Sequence, residues 1–498
     1  MDTLKELVTI VNRKRLSKID VFDKALLSQS ASNLYYKLYE GLESGKITDD
    51  ASAASYIYGS DDKDAKYRKL KSRFKNKLQK TLLLLDTEEV FINNQSRAYY
   101  ECLLNSQIIE IIIKITGTTK LVYELAKENY SKAEQYNFNE ILKNYSYYLL
   151  SYYAIIGDQK SFSKEEQLYL KYLDLSQKEQ YAKFLYFKAS IKFENQAPIT
   201  DALIEEVRVD VEALNKLRLE LQNIEIDFYY FFLALDFYQR SNQINKLIEV
   251  SNSAEDIMTL KPSAFTYTRK TIIYIYKLAA LLSNKQYDEV KNIFNNIEQL
   301  NVPEGNYNWY LLQDIHFKTY LQCNDIENAT KIYETVVNGK SFKRQNEKVQ
   351  EKWIIYHAYL VFMDNYIHHG DYKFSLAKFI NTVPVNSRDK SGFNFAIRII
   401  EILFNAARND FELIFLKMDA LRIYKSRYLN DNTYKRNHIL LNLLLKAEKS
   451  GFSHKVLVNA DWKEITDIRK QNANIVAEWE IMPYEILWDI FVEFTKKE

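Results

Sequence analysis

The chain has 498 residues, 47% of them hydrophobic and 27% charged, and a net charge of +2, a composition typical of globular proteins. Only 10 Gly and 5 Pro occur, and because these residues build tight turns and phosphate-binding loops, their scarcity argues against barrels, sandwiches and Gly-rich nucleotide sites. The length exceeds what one hydrophobic core can organise, so we expect either several domains or an extended helical array.

The first residues, MDTLKELVTIVNRKR, lack the apolar core and small-residue cleavage site of a signal peptide. Cys102 and Cys323 are the two cysteines and lie far apart, so neither a disulfide framework nor a zinc site is expected. The longest apolar runs, FYYFFLAL and IIEIIIKI, are far shorter than the ~20 residues that span a bilayer. These features predict a cytoplasmic protein that binds no cofactor and no membrane.

Residues 1–86 are predicted to form a small helical domain that contains one strongly basic helix. The stretch AKYRKLKSRFKNKLQK, residues 65–80, carries eight Lys or Arg and no acidic residue. On a helix, Tyr67, Leu70, Phe74 and Leu78 would share one apolar stripe, with basic side chains on both flanks. No acid within the helix can pair with them at helical spacing. The residues expected to contact a negatively charged partner are Lys66, Arg68, Lys69, Arg73, Lys77 and Lys80.

A shorter helical segment, ITDDASAASYIYG, precedes the basic helix, and a turn at Gly59-Ser60 separates the two. This order resembles a helix-turn-helix unit, and is similar to bacterial transcription regulators that join such a unit to a tetratricopeptide-like array. The resemblance implies that the basic helix enters the major groove of DNA and that its lysines reach phosphates. Two other interpretations stay open, namely a solvated flank of a structural domain and a docking face for an acidic protein surface.

Residues 87–460 are predicted to form a helical solenoid, because strongly apolar helical segments end in short polar breaks roughly every 40 residues. Gly or Asn at each break suits the left-handed backbone conformation that ends a helix. The breaks centre on Gly117, Gly157, Asn195, Asn242, Asn284, Asn324, Gly370, Asn409 and Gly451.

Several units share a large residue late in their first helix, a small residue early in the second, and an aromatic residue four positions later. The examples are Tyr320, Ala329 and Tyr333 in one unit, and Tyr366, Ser375 and Phe379 in the next. This pattern resembles tetratricopeptide-type (TPR-like) repeats. The resemblance implies an all-α fold, an α-solenoid of helix pairs, and a concave groove that binds proteins or peptides.

The same register places six polar residues on the face that lines the groove in such arrays. They are Asp314, Lys318 and Gln322 in one repeat, and His357, Asp364 and His368 in the next. Apolar residues of the flanking repeats would continue the groove on both sides, among them Ile272, Ile275, Ala279 and Leu282. An apolar wall with polar residues beside it suits an amphipathic helix or an extended peptide. The alternative is that neighbouring helices of the chain itself cover these stripes.

Catalytic and metal sites are not expected. His357, Asp364 and His368 share a helix stripe, but a separation of seven residues is about 10 Å along the axis, too far for His357 and Asp364 to share an ion easily. No nucleophile elbow, phosphate-binding loop or dinucleotide fingerprint occurs in the sequence. The chain is therefore predicted to be non-enzymatic.

Residues 461–498 contain Trp462, Trp479 and Trp488 and are predicted to cap the open apolar face of the last repeat. The alternative is an exposed helix that docks on a partner. Taken together, the sequence predicts a non-enzymatic scaffold or regulator that captures a protein or peptide in its groove. The alternative is a DNA-binding transcription regulator whose array senses a partner. No oligomeric state is predicted.

Overall fold

A computed structural model describes residues 23, 33–84, 94–195, 200–262, 265–297, 302–383, 392–429, 434–473, 475, 477 and 479–496. Within these ranges the chain is almost wholly helical and contains no strand, which confirms the predicted all-α fold. It divides into two compact units, residues 1–178 and 179–498. The domain boundary predicted after residue 86 lies outside the described residues.

The described residues of the first unit form six helices and the beginning of a seventh, which continues into the second unit. They are α1 (Leu34–Glu43), α2 (Asp50–Tyr58), α3 (Ala65–Thr81), α4 (Asn94–Thr116), α5 (Lys120–Gln135), α6 (Asn139–Ile156) and α7 (Gln159–Asn195). Helices α1 to α3 pack around Leu38, Ala54 and Tyr67. Helices α4 to α6 and the first part of α7 pack around a second core that includes Cys102 and Tyr145.

Local signals explain where α2 and α3 begin and end. Asp49 caps α2, and its side chain and that of Ser52 form a reciprocal capping box. Gly59 ends α2 in the left-handed conformation, with φ of 65°. Asp64 then caps α3 by accepting a hydrogen bond from the backbone of Lys66. These caps set the turn between the two helices at the position that the sequence predicts.

In the second unit, the part of the chain that the structure describes forms the rest of α7 and fifteen further helices. The first nine are α8 (Asp201–Leu221), α9 (Ile224–Arg240), α10 (Ile244–Leu260), α11 (Tyr267–Ser283), α12 (Tyr287–Ile297), α13 (Tyr307–Gln322), α14 (Ile326–Val337), α15 (Glu347–Ile367) and α16 (Leu376–Thr382). The last six are α17 (Phe393–Ala407), α18 (Phe411–Tyr428), α19 (Lys435–Lys449), α20 (His454–Val458), α21 (Lys463–Lys470) and α22 (Tyr484–Phe494).

Helices of the second unit pack mainly against their neighbours in sequence, and alternate helices also touch. Thus α9 contacts α11, α11 contacts α13, and α15 contacts α17. We call α9, α11, α13, α15 and α17, each followed by a partner helix, the A helices. Of the small and aromatic residues predicted to hold the pairs together, Ala329 and Phe379 are buried and Ser375 is exposed, and the tyrosines at 320, 333 and 366 are half-buried. This arrangement is compatible with a helical repeat protein.

Left-handed residues end many of these helices, as the sequence predicts. The predicted residue itself has positive φ at Gly117, Gly157, Asn242, Asn324, Asn409 and Gly451. At two breaks a neighbouring residue adopts positive φ instead of the predicted one. These residues are Lys285 rather than Asn284, and His369 rather than Gly370. Among the helices of the described ranges, none is both long enough and apolar enough to cross a membrane.

Candidate functional site

A cavity of about 530 Å³ lies in the second unit, between three A helices and residues close to the C-terminus. Its wall on α11 is apolar and consists of Ile272, Ile275, Ala279 and Leu282. These are residues that the sequence predicts for the apolar side of the groove. Helix α13 contributes Leu311 and Ile315 to the same cavity.

Described residues between α21 and α22 line one side of the cavity. We call the described residues Asn472, Ala473, Ile475 and Ala477 the strap. Ala473, Ile475 and Ala477 all line the cavity.

The C-terminal ends of α9 and α11 hold the strap by hydrogen bonds to its backbone. The Asn242 side chain accepts a hydrogen bond from the backbone N–H of Ile475, at 3.3 Å. The Ser283 hydroxyl donates to the backbone carbonyl of Ala473. Beside it, the amide of Asn472 donates to the Asn284 side chain at 2.9 Å. The strap is therefore bound mainly through its main chain. The side chains that bind it lie at the C-terminal ends of two successive A helices.

Helix α13 continues this pattern beyond the strap. The Gln322 amide donates a hydrogen bond of 2.9 Å to the backbone carbonyl of Ile481. Gln322 also lines the cavity, and Ile481 and Met482 are fully buried. The end of a third A helix thus binds the main chain of the same C-terminal region.

A buried ion cluster anchors the region that follows the strap. The Arg436 guanidinium on α19 donates to Glu480 at 2.6 Å and to Glu485 at 2.7 Å. It also donates to the backbone carbonyl of Ile468 at 2.7 Å. Lys285, at the end of α11, donates to the other oxygen of Glu485. Arg436 is therefore held by partners on several sides.

Burial and neighbouring charges shift the pKa values of the two carboxylates of this cluster in opposite directions. Burial raises the pKa of Glu480 above its ordinary value, although Arg436 opposes this. For Glu485 burial also favours the neutral acid, but Lys285 and Arg436 outweigh it and hold the pKa below its ordinary value. Burial disfavours the charged form of Arg436. The two carboxylates favour the charged form more strongly, so the pKa of Arg436 is raised.

Asp314 and Lys318, both predicted groove residues, lie in the cavity wall but are themselves buried. The Asp314 carboxylate accepts a hydrogen bond from Lys352 at 2.8 Å and another from the Tyr356 hydroxyl. Its distance to the Lys318 ammonium is 3.4 Å. Burial alone would raise the pKa of Asp314, but the two lysines hold it below its ordinary value. Together with Gln322, these residues form one wall of the cavity.

The three predicted residues on α15 do not line this cavity. His357 is half-buried between the rings of Tyr333 and Phe374, with ring centroids at 5.1 and 6.2 Å, and burial lowers its pKa. Asp364 and His368 are exposed and pair with each other, with 2.9 Å between Oδ1 and Nδ1. In the described part of the chain no three His, Cys, Asp or Glu side chains converge as metal ligands.

Sequence reasoning missed Asn242, Ser283, Lys285, Arg436 and Glu480 as members of this site. Asn242 is recognised in the sequence as a helix break, which accounts for its backbone but not for its side-chain contact with the strap. Glu480 and Glu485 flank IMPY within an otherwise apolar and aromatic stretch. Acidic residues in such a stretch signal buried, paired charges, and that signal was available.

The basic helix α3 belongs to the first unit. Lys66, Arg68, Lys69, Arg73 and Lys80 are exposed, whereas Lys77 is half-buried with its ammonium 5.4 Å from the centre of the Tyr35 ring. Arg68 donates to the backbone carbonyl of Lys63 at 2.8 Å. The apolar stripe faces inward, and Tyr67, Leu70 and Phe74 are buried. The two basic flanks are thus presented to solvent.

Within the residues that the structure describes, neither Lys69 nor Arg73 forms an ion pair. The neighbouring Lys71 does, with Asp50 on α2 at 2.5 Å. Positive charge on α3 is therefore only partly compensated by the rest of the small helical cluster.

Comparison of the chain with protein-family models, with curated proteins and with solved structures found no match. Its function has to be inferred from the geometry of its own sites.

Proposed function

We propose that this chain is a non-enzymatic peptide-binding scaffold or regulator, built as a TPR-like α-solenoid, whose groove along α9, α11 and α13 receives an extended peptide. The observation that carries this proposal is the binding of the chain's own C-terminal region by the ends of these three helices. Asn242, Ser283 and Gln322 each make a hydrogen bond to its main chain. A cytoplasmic location, expected from the sequence, is part of the proposal.

Main-chain recognition is well suited to peptides. Hydrogen bonds to a peptide backbone provide affinity that does not depend on sequence, while alternate side chains enter pockets that provide specificity. Ser283 and Asn242 supply the hydrogen-bonding groups at one side of the cavity, and Ile275 and Ala279 supply an apolar wall. The combination matches an extended segment with apolar side chains on one side.

The charged groups of the cavity favour binding over catalysis. The Asp314 carboxylate of the cavity wall accepts hydrogen bonds from Lys352 and Tyr356, and both oxygens of Glu480 accept hydrogen bonds from Arg436. A general acid or base needs a pKa near the working pH and a free position facing the substrate. The pKa of Asp314 is instead lowered, and Glu480, whose pKa is raised by burial, has its oxygens bound by Arg436, which suits a structural role.

Selection from a random peptide display library tests the proposal. The target is the chain with residues 472–477 replaced by Gly-Ser repeats, so that the strap does not occupy the groove. Selected peptides should bind at least about tenfold more weakly after Ala279→Phe, because the larger side chain fills the cavity at its apolar wall. Ala202→Phe, at an exposed position of α8, is the matched control. Failure to select any peptide, or equal affinity for all three proteins, would contradict the proposal.

A second candidate function is DNA binding through α3. It is supported by the exposed basic flanks of that helix and by the capped turn that joins it to α2. In this alternative the chain is a transcription regulator with a helix-turn-helix-like N-terminal domain, and the array senses a partner. Lys66, Arg68, Lys69, Arg73, Lys77 and Lys80 are the residues proposed to contact phosphates.

A further inference from the structure

Helix α7 is apolar on two nearly opposite faces where it runs through the second unit. The face toward the core consists of buried residues spaced three or four apart, namely Ala182, Leu185, Ala189 and Phe193. The other face carries four large apolar side chains, also spaced three or four apart, which we call the α7 stripe: Tyr181, Phe184, Phe187 and Ile191. Residues three or four apart are neighbours on a helix surface, so each set forms a continuous row.

The α7 stripe is exposed over its whole length. Tyr181 is 52% exposed, Phe184 58%, Phe187 54% and Ile191 57%. Single exposed apolar side chains are common on protein surfaces, whereas a continuous apolar patch marks an interaction site. The neighbouring helix α8 carries charged side chains at exposed positions, including Glu205 and Glu212. The stripe on α7 is therefore a candidate contact surface.

We propose that the α7 stripe is the contact surface between two copies of this chain, related by a two-fold axis beside α7. In such a dimer the same patch serves on both copies, so each stripe packs against the other. This inference goes beyond the proposed function, because it does not involve the groove along α9, α11 and α13.

The spacing of the stripe suits packing against a helix of the same kind. Phe187 follows Phe184 by three residues, and Ile191 follows Phe187 by four. Alternation of three and four is the spacing with which two packed helices meet along a seam. Gln180, exposed four residues before Phe184, continues this seam with a polar side chain. A polar residue in an otherwise apolar seam restricts the alignments that the two helices can adopt.

The charges beside the stripe favour a second copy over a charged partner. On the side of α8, Lys188 pairs with Asp210 at 2.8 Å, and Lys192 pairs with Glu206. These two lysines are thus balanced by acids of the same chain. Two copies would not repel each other at these positions, and an acidic or basic partner would gain no attraction from them.

Lys183 lies on the other flank of the stripe and is exposed. Its ammonium group is 5.9 Å from the centre of the Phe187 ring. A lysine can lay its methylene groups along an apolar contact while its ammonium group stays in water. Lys183 can therefore lie at the rim of the dimer interface without losing its hydration.

The size of the stripe predicts a weak dimer. Because one large aromatic side chain buries about 150–250 Å², four large side chains that are each about half exposed offer roughly 400 Å² per copy. The two stripes together would bury roughly 800 Å², which is less than the roughly 1,200 Å² of a stable interface. We therefore expect a dissociation constant in the micromolar range.

Sedimentation velocity of the full chain, from about 1 to about 100 µM, tests the proposal. The native chain should change from monomer to dimer over this range. Phe184→Glu should raise the dissociation constant at least about tenfold, because it places a charge in the apolar contact. Phe415→Glu on α18 is the matched control, since Phe415 is also 58% exposed, and it should leave the association unchanged.

The variants should stay folded, because α7 is held by its buried face, and circular dichroism checks this. A native chain that stays monomeric up to about 100 µM would overturn the proposal and leave the stripe to a different kind of partner. An equal loss of association in Phe184→Glu and Phe415→Glu would overturn it as well.

Salt gives a second measurement, which needs no variant. A contact between apolar stripes with balanced charges should keep its dissociation constant within about threefold between about 0.1 M and about 0.5 M NaCl. A dissociation constant that rises tenfold or more over this range would overturn the proposal, because it would show that charged groups hold the two copies together.

Discussion

The guanidinium of Arg436 donates hydrogen bonds to both oxygens of the Glu480 carboxylate, and both side chains are buried. The two residues lie 44 positions apart. This contact ties the region after the strap to α19 and defines where the strap ends. Because neither group has access to bulk water, each depends on the other for compensation of its charge.

Replacing Arg436 by Met should destabilise the second unit by about 3–5 kcal/mol, because it leaves the carboxylates of Glu480 and Glu485 buried without their guanidinium. Urea unfolding followed by tryptophan fluorescence would measure the loss. Arg469→Met removes the exposed pair with Asp489 and should cost only about 0–1 kcal/mol. Similar losses of stability in the two variants would show that burial of the cluster does not increase its contribution to the free energy of unfolding.

Asp314 and Asp364 provide a second matched pair, since both are predicted groove residues. Asp314→Asn should cost about 3–5 kcal/mol, because it leaves the ammonium groups of the buried Lys318 and the half-buried Lys352 without their carboxylate. Asp364→Asn loses only an exposed pair with His368 and should cost about 0–1 kcal/mol. Thermal unfolding of the two variants checks this. An equal loss of stability would mean that the ion pairs around Asp314 do not form.

His316 should make stability depend on pH. Its ring stacks on Phe294 with centroids 4.0 Å apart, and burial lowers its pKa to about 4. Between this value and the ordinary value of 6.5 the unfolded chain binds a proton that the folded chain does not, so stability falls as the pH falls through this window. Above that window the contribution is constant.

The variant His316→Phe keeps a flat ring at this position and removes the titration. From about pH 7 to about pH 5, the native chain should lose about 2 kcal/mol of stability relative to this variant. Urea unfolding of both proteins at the two pH values gives the difference. A gap that does not change with pH would contradict a neutral, buried His316.

Reversal of Arg68, Lys69 and Arg73 to Glu tests the alternative function. All three are exposed, so the fold should persist while duplex DNA binding is lost. If each contacts a phosphate, the slope of log affinity against log salt should become shallower by about 3. Reversal of Lys120, Lys160 and Lys164, which are exposed outside α3, is the control. Fluorescence anisotropy at two salt concentrations measures both, and absence of DNA binding by the native chain would end this alternative.

The helices and their ends follow from local sequence. Asn242, Asn324 and Asn409 take the left-handed conformation because Asn tolerates positive φ, and Asn or Gly at a break signals it. The stripe of Tyr67, Leu70 and Phe74 is buried because its spacing places it on one face of α3. Such features depend on neighbours within a few residues, so a single sequence is sufficient to predict them.

The partners of the groove residues do not follow from local sequence. Helical register predicts that Asp314 and Lys318 lie on the cavity side of their helix. It does not predict that Lys352, on another helix, pairs with Asp314. The sequence predicts His357 on the same groove-lining face as Lys318, yet the His357 ring lies between Tyr333 and Phe374. The contact of Asn242 with Ile475 joins residues 233 positions apart. Sequence periodicity does not predict a contact at that separation.

The strap has a consequence for how the chain responds to proteases. Exposed, weakly held segments are the usual places where a folded chain is cut, and Asn472 is exposed in the strap. A cut beside Asn472 would leave α21 and α22 packed on α19, so the two fragments would stay together. The cut ends would then be free to leave the cavity, so a single cleavage would make the cavity accessible while the helices stay packed.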